Sequence, residues 1–130
     1  MRTRSPTAEA SPRWTVAGDG VEMRPLVGGG GTALVLYRIE SGRTFASHTH
    51  PFPEYGSVIL GRGRLVLEGR AQELAEGDSY YIPCGVSHGF ESPAQPGPVV
   101  LLHVGVGSEN EGSTGMFREL IERTSAVVRA

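Results

Sequence analysis

From residue 32 to residue 106 the chain is cut into short runs of β-forming side chains, each closed by Gly, Pro or Ser. This rhythm constrains the fold more than any other feature. Residues 32–40 (TALVLYRIE) end at Ser41-Gly42, and further runs follow at 55–60, 64–68, 71–74, 79–82, 88–91 and 99–106. Within 64–68, Leu65 and Leu67 alternate with Arg64, Val66 and Glu68, the period of a strand with one covered face. Gly61-Arg62-Gly63 marks a hairpin turn ahead of it. Many short strands at this spacing predict an all-β sandwich or barrel, and 19 glycines with 9 prolines leave room for little helix. A length of 130 residues suits one domain.

The ends read differently. Residues 1–13 are Ser, Thr, Pro, Ala and charge without apolar periodicity, and predict a flexible tail. The β-domain is expected over 14–107, with two short strands near Trp14 and over 21–27, and the glycines at 28–31 are read as a mobile connection. A phosphate-binding loop is not supported there, because no Gly-Lys-Ser/Thr and no helix follow. Residues 108–115 read as a polar linker. Over 116–130, Met116, Phe117, Leu120, Ile121, Val127 and Val128 recur at helical spacing and predict a terminal amphipathic helix.

Chemistry concentrates in residues 42–61. His48 and His50 are two positions apart, which on an extended strand places both imidazoles on one face with α-carbons roughly 6.6 Å apart. Pro51 and Pro53 favour a bend, so Glu54 can arrive from the start of the next strand. A His-x-His pair alone is more often structural or solvated than a ligand pair. The second segment, 77–88, adds weight: a turn, a strand, a Pro-x-Gly turn and then His88 follow in order. His48, His50, Glu54 and His88 together make a candidate metal set of borderline nitrogen and oxygen donors, suited to a transition metal and poor for calcium or magnesium.

These two segments resemble the motifs of the cupin superfamily. Gly42, His48, His50, Glu54 and Gly61 match its first motif without a gap; Gly77, Pro83, Gly85 and His88 match the second, which then departs at Ser92, a turn position. The resemblance implies a single-domain, jelly-roll β-barrel holding one divalent metal per chain on His48, His50, Glu54 and His88. Fe2+ is favoured, with Mn2+, Ni2+, Zn2+ or Cu2+ as alternatives. It also implies a metal-dependent enzyme acting on a small organic substrate, a dioxygenase before a redox-neutral isomerase, cyclase or lyase. A non-catalytic ligand-binding cupin is the remaining alternative.

Phe45, Phe52, Tyr55, Tyr80, Tyr81 and Phe90 flank the ligand segments and are candidate substrate contacts, although strand parity sends about half of such residues outward. His103 is a candidate base beside the metal, with a structural role as the plainer reading. Residues 99–106 are apolar on both faces, which predicts either a doubly covered strand or a homodimer interface. Twelve basic against 14 acidic residues, with no basic stripe, exclude nucleic acid as the expected partner. The lone Cys84 has no partner for a disulfide and is expected to be a bystander in its turn. Without a signal-like or membrane-spanning apolar run, the expected location is cytoplasmic.

Overall fold

The computed structural model describes residues 13–106. The expected tail, apart from Arg13, together with the linker and the terminal helix, lies outside the described residues. Ten strands follow in order: β1 (Thr15–Gly18), β2 (Val21–Gly29), β3 (Thr32–Ile39), β4 (Thr44–His48), β5 (Glu54–Leu60), β6 (Gly63–Leu67), β7 (Arg70–Leu74), β8 (Ser79–Ile82), β9 (His88–Glu91) and β10 (Val99–Val106). They form a six-stranded sheet, β1-β2-β3-β10-β5-β8, and a four-stranded sheet, β4-β9-β6-β7, with antiparallel pairing throughout. This is the jelly-roll architecture.

Alternation sets the inner faces. On β10, Val99, Leu101 and His103 are buried while Val100, Leu102 and Val104 are half-buried. On β3, Ala33, Val35 and Ile39 point the same way. The core joins both sheets through Val21, Ile39, Val58, Leu65, Ile82, Phe90, Val99 and Leu101. Each such side chain contributes about 1.5–3 kcal/mol by leaving water.

The glycine run is not a mobile connection. Gly28 and Gly29 belong to β2, and Gly30-Gly31 is a two-residue hairpin turn with φ of 61° and 79°. Positive φ at both central residues gives the backbone twist that matches the flanking strands, and glycine reaches it without a Cβ penalty. β10 lies between β3 and β5 in the middle of the larger sheet, and the pairing row Val35, His103, Gly56, Tyr80 crosses four strands.

Candidate metal centre

The geometry begins with a bulge. β4 pairs with β9 at Phe45–Phe90 and at His48–His88, so three steps on β4 match two on β9. One extra residue reverses the parity of the strand, and Phe45 and His48, an odd number apart, both reach the same cavity. Gly89 permits this close approach: a Cβ there would lie 2.7 Å from the Phe45 carbonyl oxygen and 2.9 Å from the Ser47 amide nitrogen.

β4 stops at His48, so a continuing strand does not place His50 as the sequence suggested. His50 sits in the bend between β4 and β5, with its ring stacked on Phe52 at 4.0 Å and its carbonyl accepting a 3.0 Å hydrogen bond from the Gly85 amide. That bond ties the Pro83-Cys84-Gly85 turn to the histidine loop, while Cys84 itself is exposed. Glu54 opens β5 with its side chain inward and buried. Ser92, where the second motif departs, exchanges backbone hydrogen bonds with Gly42 and Arg43 at 2.9 Å, and its hydroxyl accepts from Gln95.

Backbone carbonyls fix the ring tautomers. Nδ1 of His48 donates to Ala46, Nδ1 of His50 to Phe52 and Nδ1 of His88 to Val86, at 2.9, 2.8 and 2.9 Å. A carbonyl can only accept, so in each ring Nδ1 carries the proton and Nε2 is left to bind a cation. The three histidines present ligand nitrogens within 4.8 Å of one another. Nε2 of His88 is buried with no hydrogen-bond partner among the described residues. Nε2 of His50 faces Oε1 of Glu54 at 2.7 Å, and Nε2 of His88 lies 3.5 Å from the same oxygen. A lone pair and a carboxylate in such contact call for a positive charge between them, a proton or a metal. The donor set therefore fits a transition-metal ion.

Glu54 joins this cluster to His103, whose Nδ1 lies 2.6 Å from Oε2. Among the described residues His103 finds no hydrogen-bond partner at either nitrogen, so this is a close contact off the direction of a hydrogen bond. Burial alone would raise the Glu54 pKa, but the charge of His103 and the contacts with His50 and His88 hold it well below the carboxylate range. Burial also lowers the pKa of His88, yet the Glu54 contact, the Val86 carbonyl and the Glu54 charge outweigh it and raise the net value. His48 moves down, chiefly by burial. Tyr37 and Tyr80 are pushed up by burial and then by the charge of Glu54, so both hydroxyls stay protonated.

A cavity of 330 Å³ opens beside the cluster, and Phe45, Phe52 and Phe90 line it as expected. Tyr55 and Tyr81 do not. They are 48% and 52% exposed on the outer face, where they form a cross-strand pair with ring centroids 5.1 Å apart. Their inward neighbours, Glu54 and Ile82, take the other parity. The sequence reading missed Met23, Val35 and Tyr37, which come from β2 and β3 outside both motifs. Alternation with Val21, Ala33 and Ile39 was the available signal.

A jelly roll with a three-histidine cluster, His50 and His88 buried and His48 half-buried, defines a β-barrel able to hold a metal. The chain belongs to the cupin family: the Cupin domain model matches residues 35–105. No curated protein matches it. Among solved structures, it is similar to an RmlC-like cupin from Shewanella frigidimarina at 20% identity and a TM-score of 0.67, covering 75% of this chain and 86% of that one. KdgF from a Halomonas species is also 20% identical, with 75% and 88% covered and a TM-score of 0.65. The polyketide cyclase RemF from Streptomyces resistomycificus is 24% identical, with 81% and 78% covered and a TM-score of 0.63.

Proposed function

We propose that this chain is a metal-dependent enzyme acting on a small organic substrate, with His48, His50, Glu54 and His88 as the protein ligands. The observation that carries this reading is the convergence of three imidazoles whose Nδ1 protons are committed to backbone carbonyls. Four protein ligands on a six-coordinate ion leave positions for a substrate oxygen, unlike a saturated structural zinc. When bound, such an ion supplies Lewis-acid polarisation or a redox partner for dioxygen. The chain's own residues do the rest: aromatic walls exclude water, and His103 holds the far oxygen of Glu54.

Within this class a redox-neutral reaction is the first reading, because Glu54 and His103 place a paired carboxylate and imidazole at the cavity wall, able to hold a proton beside the substrate. RemF, a polyketide cyclase, shares the fold. Dioxygenase chemistry is the second reading, supported by the imidazole and carboxylate donors, which suit ferrous iron and leave open positions. Elemental analysis of the protein as purified, beside His48→Ala and Glu54→Ala, tests the metal site. Both variants are expected to lose bound metal and activity together while β content stays near normal; unchanged metal in both refutes the ligand set. Turnover in anaerobic buffer supports the redox-neutral reading, whereas stoichiometric oxygen uptake by the iron-loaded protein moves it to the dioxygenase. A retained ligand without turnover leaves a binding module.

A further inference from the structure

The cavity walls are chemically lopsided. His48, His50, Glu54 and His103 form one contiguous polar patch: the rings of His48 and His50 are 5.7 Å apart, and Glu54 bridges His50 to His103. Much of the remaining wall is hydrocarbon and aromatic ring, from Met23, Val35, Phe45, Phe52 and Phe90. Flat faces and edges of this kind favour a planar partner, and methionine adapts to its outline. An apolar cavity of about 150 Å³ accepts benzene, so 330 Å³ suits a body of about two fused rings.

Charge narrows the class further. Among the described residues the lining contains no arginine, and the chain has no lysine at all. Arg38, Arg43 and Arg64 are engaged instead with Glu22, Asp19 and Glu73. Among the described lining residues an anionic group on the substrate finds a cationic or metal-binding partner only at the histidine cluster, and a second one would face the cavity wall without a charged partner. Outside the histidine cluster, the side-chain hydroxyls among the described lining residues are those of Tyr37 and Ser47, too few for the many hydroxyls of a sugar, most of which would lie against hydrocarbon.

We propose that the substrate is a planar aromatic compound of about two rings, with one oxygen-bearing end directed to the histidine cluster and an otherwise uncharged, apolar body. This rests on the metal-dependent reading above for the polar end, but the body is set by the walls alone. Four probes test it by calorimetric titration of the full chain, metal-loaded and metal-stripped: 2-naphthol, 2-naphthoate, 2,6-naphthalenedicarboxylate and glucuronate. The neutral 2-naphthol is expected to bind both forms. Val35→Phe, which adds a ring inside the cavity, is expected to weaken it at least tenfold with bound metal unchanged. Met23→Phe gives the same reading should Val35→Phe fail to fold. In the metal-loaded protein 2-naphthoate should bind at least tenfold tighter than the dicarboxylate, and glucuronate more weakly than 2-naphthoate. A dicarboxylate or glucuronate that binds as tightly as 2-naphthoate overturns the proposal, as does 2-naphthol binding indifferent to both variants. Protein that takes up no metal yet binds 2-naphthol in a Val35-dependent way refutes the metal reading and leaves the apolar body standing.

Discussion

His103 Nδ1 lies 2.6 Å from Glu54 Oε2, on the opposite side of the carboxylate from the oxygen that faces His50 and His88. The two residues come from neighbouring strands, β10 and β5, so the larger sheet itself fixes their separation. A carboxylate gripped at one oxygen has one orientation in which to offer the other.

His103 should therefore act as a positioning residue for the metal centre. Removing the outer partner of a metal-binding group typically costs 10–100-fold in affinity. His103→Ala is expected to weaken metal binding by about that factor, measured by chelator competition, with β content retained and partial rescue in His103→Gln. Wild-type affinity in His103→Ala would mean the contact orients nothing.

On the proposed ligand set, protons and metal would compete for the same ring nitrogens, and the direction of the competition follows from the two shifted histidines. His48 moves down, so it is neutral and available at neutral pH; His88 moves up and holds its proton to higher pH in the metal-free protein. Binding must expel that proton, so occupancy should fall as pH drops through and below the ordinary imidazole value of about 6.5. Metal retained after dialysis at stepped pH between 8 and 5 is the measurement, and a flat profile would argue against imidazole ligation.

Much of this was legible beforehand, because turn residues and ligands are local signals. Strands β8, β9 and β10 fall where the runs at 79–82, 88–91 and 99–106 end in Gly, Pro or Ser; His48, His50 and His88 cluster, and Glu54 contacts His50 and His88. What the sequence hid was parity and register. The bulge in β4 that turns both Phe45 and His48 inward depends on how Gly89 sits across from it. The outward turn of Tyr55 and Tyr81 depends on which residue of each strand starts the pairing. The glycines at 28–31 carry no hydrophobic pattern, so only the paired strands on either side show that two of them form a hairpin turn.

Gly56 illustrates a register constraint that can be tested. It pairs with Tyr80 on one side and His103 on the other, and a Cβ added there would overlap the Tyr80 ring and hydroxyl. Gly56→Ala should displace Tyr80 and cost about 1–3 kcal/mol in urea unfolding, the usual penalty of overpacking. Tyr80→Phe is the control. Its hydroxyl is buried with no hydrogen-bond partner among the described residues, so removing it should cost little or even stabilise. A large loss in Tyr80→Phe would show that the hydroxyl is satisfied by something else.

The outer face of the larger sheet carries the last prediction. Leu34, Val104, Tyr55 and Tyr81 form one outward row across β3, β10, β5 and β8, with Ile59 and Leu60 exposed at 49% and 51% nearby. The apolar outer side of β10 seen in the sequence is thus part of a wider patch, uncharged along that row and central to the sheet. A second copy related by a two-fold axis would present the same row to it, so an isologous contact needs no further complementarity. The protein is expected to sediment as a homodimer at micromolar concentration. Tyr55→Glu combined with Val104→Glu should shift it to the monomer, because each charge would face apolar surface in the dimer and water in the monomer. Metal content should be unaffected, since these side chains point away from the cavity. Monomeric wild-type protein at that concentration would remove the dimer and leave the patch to another covering.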